Sequence, residues 1–290
     1  MSHPVEGFRL AYRRDAAGAA TPVIALHGWP GSGADYDAVR AELAGAVDLV
    51  VPDLRGFGAT ERPAAAPPAA YAADGQARSV LGLLDELGIA PAVIVGYDVG
   101  SRVAQAIARA RPDAVAALVL SPPLPGVGDR VLAPEAQAEF WYQSFHRLPL
   151  ADALIDGDPA AVRAYLAHFW QHWSAPGWSP APDAFERLVA GYAEPGAFAA
   201  SLGWYRARAG TVAVALRETP PRPEDRIRAP TSVLWPDRDP LFPAAWADSI
   251  DAWFADARLQ VLEGIGHFLP LEAPGAVAQA IRGEAGRGTP

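Results

Sequence analysis

The sequence predicts an α/β protein: a mostly parallel central sheet flanked by helices, with a block of inserted helices. Three observations predict it. Short apolar runs alternate with helical patterns over the first and last parts of the chain. The runs are continuously apolar, as in strands covered on both faces, rather than alternating as in half-buried ones. The alternation then stops from about residue 125 to about residue 215, where Trp, Tyr, Phe and His concentrate.

Element by element, the expected strands are 22–28, 47–54, 92–98, 116–121, 231–235 and 259–262, with 8–13 as an antiparallel edge strand. Helical patterns at 32–43, 74–87, 99–110 and 274–282 lie between or after them, so the crossovers are right-handed and the sheet parallel. Further helices are expected at 135–146, 158–173, 182–191 and 196–209 within the interruption. The Ala/Pro stretch 63–70 reads as a surface loop. The organisation is therefore a core at 1–124, a helical cap at 125–215 and the rest of the core at 216–290.

Composition narrows the partners. With 290 residues and 51% hydrophobic content, the chain can bury a large core. A net charge of −9 disfavours nucleic acid and anionic membrane. The chain has no cysteine, which excludes disulfides and thiol chemistry. MSHPVEGFRL lacks the charged and apolar regions of a signal peptide, and no apolar run reaches the roughly 20 residues of a membrane span. A cytoplasmic monomer or homodimer acting on a small molecule is the expectation.

Three motifs carry the chemistry. In Gly96-Tyr97-Asp98-Val99-Gly100 an apolar run turns at once into a helix, and flanking glycines permit a sharp elbow that lifts the central side chain above the sheet. Taken alone, Asp98 reads equally well as a helix cap. Trp235-Pro236-Asp237-Arg238-Asp239-Pro240 is an acidic loop after a strand. His267 follows the last apolar run. The order nucleophile, acid, histidine is that of the α/β-hydrolase triad, and each member follows a strand on the carboxyl edge of the sheet. Asp239 is taken as the acid, with Asp237 as the alternative. His27-Gly28-Trp29-Pro30-Gly31, with a candidate cis Trp29-Pro30 bond, offers a backbone N–H to an oxyanion hole, and the residue after the nucleophile offers another, which assigns Trp29 and Val99. His27 reads as a structural anchor.

An aspartate nucleophile changes the electrophile. A carboxylate is ionised at neutral pH and suits attack on saturated carbon bearing a strained or good leaving group, such as an epoxide or alkyl halide. The product is an ester of the enzyme, which a His–Asp pair can hydrolyse with water. A halide leaving group wants N–H donors, and an epoxide oxygen wants a proton from a phenol. Val99 supplies no side-chain donor, whereas Phe140-Trp141-Tyr142-Gln143 and Gly203-Trp204-Tyr205-Arg206 supply tyrosines.

HGWPG at 27–31, GYDVG at 96–100 and GHFLPLEAP at 266–274 resemble the motifs of the cap-bearing epoxide hydrolases of the α/β-hydrolase superfamily, in particular the short bacterial epichlorohydrin-type enzymes. The stretch from Trp141 through HFWQHWS at 168–174, and WYR at 204–206, are similar too, so the resemblance spans essentially the whole chain. It implies the α/β-hydrolase fold and cofactor-free opening of an apolar epoxide to a vicinal diol, with water as the second reactant. It further implies Asp98 as nucleophile, His267 as base, Asp239 as its partner, Trp29 and Val99 as the oxyanion hole, and Tyr142 and Tyr205 as the pair that binds the epoxide oxygen. Trp141, Trp204 and Phe268 are expected to line the substrate pocket, with Trp170 and Trp173 as core or wall. His168 and His172, four residues apart, lack a third metal ligand, so no metal is expected. The alternatives are a haloacid or haloalkane dehalogenase, although Arg102 matches only the second of two arginines in fluoroacetate dehalogenases, and a hydrolase-like ligand receptor without turnover.

Overall fold

The computed structural model describes residues 1–17, 21–63 and 66–287. Residues 64 and 65 of the expected surface loop lie outside the described residues; a 3₁₀ turn, Pro68–Tyr71, closes that stretch. Among the described residues one sheet has seven strands: β1 (Tyr12–Asp15), β2 (Pro22–Leu26), β3 (Asp48–Pro52), β4 (Ala92–Gly96), β5 (Val115–Leu120), β6 (Thr231–Pro236) and β7 (Ala257–Leu262). Their order is β1-β3-β2-β4-β5-β6-β7, with β1 antiparallel to β3 and every other pair parallel. The antiparallel edge strand thus overlaps the expected 8–13 only at Tyr12 and Arg13 and runs on to Asp15, and Phe8 makes just an isolated bridge to Val5.

β3 and β4 are buried along their whole length, as continuous apolar runs require. β7 departs from that expectation. It forms the other edge of the sheet, with no strand beyond it among the described residues, and Leu259 and Val261 are nearly half exposed. Helices α1 (Asp37–Leu43), α2 (Ala73–Leu87) and α3 (Val99–Ala110) follow the early strands, and a short 3₁₀ turn at Gly33–Tyr36 precedes α1.

Eight short helices lie between β5 and β6: α4 (Pro134–Glu139), α5 (Trp141–Phe145), α6 (Pro149–Ile155), α7 (Pro159–Trp173), α8 (Pro182–Ala193), α9 (Ala197–Ser201), α10 (Gly203–Arg206) and α11 (Thr211–Val214). Two expected helices are broken in two. The 135–146 segment breaks at Phe140 (ψ 9°), and the 196–209 segment breaks at Leu202 (ψ −6°); both values are far from a helical ψ. α6 and α11 were not expected; α6 starts on Pro149, whose fixed φ suits a first helical position. α7 starts where Asp158 accepts from the Ala160 and Ala161 N–H groups, a side-chain cap. After β7 come α12 (Leu269–Glu272) and α13 (Pro274–Arg287), the latter packed under the sheet against α1.

Candidate active site

Asp98 stands between the end of β4 and the first turn of α3, at φ +49°, ψ −122°. A non-glycine residue in so sparsely populated a conformation costs on the order of 1–3 kcal/mol. The glycines around it explain how the chain can turn so tightly. A Cβ on Gly100 would meet the Leu26 carbonyl oxygen at 2.0 Å, and one on Gly96 would meet the Gly100 carbonyl oxygen at 2.4 Å. Gly28, on the loop after β2, would place its Cβ 2.6 Å from the Asp98 Cβ. Although Asp98 occupies the position before α3, its side chain makes no capping bond. Instead Oδ1 accepts from the Trp29 N–H at 2.7 Å. The Val99 N–H, first in α3, has no acceptor within its own helix.

The loop after β6 places Asp239, and the loop after β7 places His267. His267 Nδ1 lies 2.9 Å from Asp239 Oδ2, and Nε2 lies 3.6 Å from Asp98 Oδ2. The second contact is electrostatic rather than a hydrogen bond, and Nε2 has no other partner. Both side chains of the His267–Asp239 pair are fully enclosed. Burial alone would lower the His267 pKa, but the charge and hydrogen bond of Asp239, joined by the charge of Asp98, push it up to about 10. Asp237 is placed differently. It accepts from the Gly264 N–H at 2.7 Å and pairs with Arg238, away from the imidazole.

Glu272 holds the His267 loop in place, and the sequence reading passed over it. Its carboxylate accepts from three backbone N–H groups: Gly266 at 2.8 Å, Ala175 at 2.9 Å and Phe268 at 3.0 Å. Burial raises its pKa against the opposing pull of those donors. The His267 N–H is itself bound to the Trp173 carbonyl at 2.8 Å, which ties this loop to the end of α7. Glu272 sits within GHFLPLE, so the segment was visible in the sequence but this role was not.

Facing Asp98 is a cavity of about 10 Å³, enough for roughly one water molecule. Its walls include Val99, Tyr142, Trp204, Tyr205 and Phe242. Tyr142 comes from α5 and Tyr205 from α10; their rings stand nearly perpendicular, 5.6 Å apart. The Tyr142 ring also lies parallel to Trp29 at 5.8 Å. Burial holds both phenols well above their ordinary pKa, and the Asp98 charge adds to this, so both are neutral donors. Gln143 is a second member that sequence reasoning missed. It donates to the Tyr142 hydroxyl at 3.3 Å and accepts from the Val212 N–H at 3.0 Å.

Two expected wall residues are corrected. Trp141 does not line this cavity; it is 43% exposed and lies parallel to Phe169 on the outside of the inserted helices. Phe268 is buried behind His267, against Trp170 and Trp173, and does not reach the cavity either. Trp204 does line it, and Trp173 packs against both Tyr142 and His267.

The remaining polar residues have other partners. His27 lies under the loop, with Nδ1 against the Gly28 carbonyl and Nε2 accepting from the Leu54 N–H; burial lowers its pKa. The Trp29-Pro30 bond is cis. Asp35, fully enclosed, accepts from the Tyr97 hydroxyl at 2.5 Å, and burial pushes its pKa to about 7. Arg102 reaches the cavity wall but is ion-paired with Glu218. His172 bonds Glu139 at 2.7 Å, and among the described residues no group of three or more His, Asp or Glu is placed to hold a metal.

The strand order, the elbow and the residues at the carboxyl edge define an α/β hydrolase, and residues 21–274 match the alpha/beta hydrolase fold family. The chain belongs to that family and is a hydrolase. Over 93% of its length it is 28% identical to a soluble epoxide hydrolase from Corynebacterium sp. (strain C12), covering 91% of that protein. Over 95% of its length it is likewise 28% identical to epoxide hydrolase A of Mycobacterium tuberculosis, covering 93% of it. A solved structure described among novel epoxide hydrolases from hot-environment metagenomes matches with a TM-score of 0.80 at 25% identity, over 96% of this chain and 95% of that one. No helix of the described residues is long and apolar enough to cross a membrane.

Proposed function

We propose that this hydrolase opens an epoxide to a vicinal diol through an ester of Asp98. One observation carries the reading: a carboxylate on a strained elbow shares one small cavity with two neutral, buried phenols. The names of the full-length relatives support it. Oδ2 attacks one ring carbon, the C–O bond of the ring breaks, and a phenol of Tyr142 or Tyr205 gives its proton to the released oxygen. His267 Nε2 then takes a proton from water, and the hydroxide adds to the ester carbon. The negative charge develops on Oδ1, already bound by the Trp29 N–H and within the reach expected of the Val99 N–H. Collapse breaks the bond between Cγ and the alkyl-bearing oxygen, the imidazolium gives its proton to that oxygen, and the proton of the new Asp98 carboxyl group returns to the phenolate as the diol leaves. Asp239 holds the imidazole and stabilises its charged form.

In this reading α4–α11 act as a cap, residues 125–215, over the carboxyl edge of the core segments 1–124 and 216–290. The dehalogenase readings fare worse, because the Val99 side chain cannot donate to halide, Arg102 is neutralised by Glu218, and the Trp29 indole donates to Ser201 at 3.2 Å. A single turnover in ¹⁸O water, followed by mass analysis of the peptide containing Asp98, tests the mechanism. Label is expected in the Asp98 carboxylate. Label confined to the diol means direct attack of water on the ring and overturns it.

A further inference from the structure

Next to the cavity facing Asp98 lies a larger one of about 250 Å³ that opens to solvent. The two share Gln143, Tyr205 and Gly210 in their walls. A Cβ on Gly210 would stand 2.6 Å from Gln143 Oε1 and 3.2 Å from the Tyr205 ring, so glycine is what lets the chain pass so closely between the two spaces. Arg147, Arg208 and Arg217 edge the outer cavity, and no carboxylate lines it. Among the described residues none of the three is ion-paired, whereas their neighbours Arg102, Arg206 and Arg222 are bound to Glu218, Asp152 and Asp225. On a chain of net charge −9, this opening reverses the prevailing sign.

Arg208 sharpens the point. It lies at φ +57°, just past the end of α10. Its N–H donates to the Tyr205 carbonyl at 3.0 Å, and the Ala209 N–H donates to that of Trp204 at 3.2 Å. Such a helix end favours glycine or asparagine at the left-handed position. An arginine is strained there, and the turn itself does not call for it. Its carbonyl accepts from the Arg217 guanidinium at 3.4 Å, which draws two of the cations to one side of the opening.

We propose that this opening is an anion site, and that the epoxides the enzyme prefers carry a carboxylate at the end of an apolar skeleton. The carboxylate meets Arg147, Arg208 and Arg217, while the skeleton passes Tyr205 and Gln143 and the ring meets Asp98. Guanidinium groups are suited to the task because their planar donors match a carboxylate edge to edge. The inference rests on the epoxide reading above and adds a charged end to its apolar substrate.

The test compares a series of terminal-epoxide alkanoates with their primary amides on the wild-type enzyme. A kcat/KM preference for the carboxylates of about tenfold or more is expected, within what several exposed ion pairs acting together can supply. It should shrink as salt rises from about 0.01 to about 1 M, which shortens the screening length from about 30 to about 3 Å. The triple variant Arg147→Gln/Arg208→Gln/Arg217→Gln should bring the carboxylate-to-amide ratio near one. Arg208→Gly should lower the ratio while leaving the Tm equal or raised, which a merely structural arginine would not do. Turnover of amides and carboxylates at equal rates overturns the anion site and leaves the epoxide reading intact. Should no epoxide be turned over at all, calorimetry with a saturated alkanoate decides the site separately. Binding that the triple variant loses supports it, and no binding to the wild type overturns it.

Discussion

At the residue scale, His267 faces two carboxylates in turn. Before reaction both Asp98 and Asp239 favour the imidazolium, and the pKa near 10 keeps it charged at neutral pH. In the proposed mechanism esterification removes the charge of Asp98, the smaller of the two carboxylate contributions, so the pKa of His267 falls and proton acceptance from water becomes easier. The two chemical steps therefore differ in their response to acid. As proposed, ring opening needs the Asp98 anion, whereas ester hydrolysis also needs neutral imidazole and should slow as pH falls. Rapid quench with intact-mass detection should find more alkyl-enzyme at about pH 5 than at about pH 8. An equal ester fraction at both would remove His267 as the base. In Asp239→Asn the ester should persist at either pH, with hydrolysis slowed roughly 10²–10⁴-fold. Stability follows the same group with a definite sign. The folded pKa lies above the usual 6.5, so this contribution is complete below about 6.5 and is lost as pH rises towards 10.

At the scale of elements, the proposed catalytic side chains owe their positions to loops pinned by backbone groups. Glu272 is the clearest case, since one carboxylate gathers three N–H groups around His267. Glu272→Gln can serve fewer of them, because its amide nitrogen would oppose an N–H. A loss of about 1–3 kcal/mol in stability is expected from denaturant unfolding. Stopped-flow traces should show ester hydrolysis slowed more than ester formation, because Asp98 is held by its own elbow. Equal slowing of both steps would mean that Glu272 has no particular hold on His267. The strands and the motifs on them were legible in the sequence, because continuous apolar runs and flanking glycines are local signals. Side-chain direction within the inserted helices was not. Trp141 and Tyr142 are neighbours in sequence, but successive residues of a helix point about 100° apart, so one faces Asp98 and the other faces solvent. Phe268 fails for a similar reason, since the residue after His267 turns into the core. The exposure of β7 depends on its being last in the sheet, which its own composition does not encode.

At the scale of the whole molecule, the site is assembled from distant parts of the chain. Asp98 precedes the eight inserted helices, Tyr142 and Tyr205 lie within them, and Asp239 and His267 follow. β5 and β6 are nonetheless paired side by side, Leu118 against Thr231, with every inserted helix between them in sequence. Closing so long a loop costs little more free energy than closing one half its length, about 0.6 kcal/mol per doubling. Its effect on rate is larger, because long-range pairings form late. The second half of the sheet should therefore dock onto a first half that is already folded, bringing Asp239 and His267 to Asp98 last. In refolding from denaturant, helical circular dichroism should return well before the capacity to turn over substrate, and simultaneous recovery would contradict this order. If Asp98 is the nucleophile proposed above, a chain arrested before that final step would already possess its reactive carboxylate without the means to release what it captures. Such an intermediate could be alkylated but would not turn over, so newly made enzyme exposed to an electrophile risks permanent modification until its last two strands are in place.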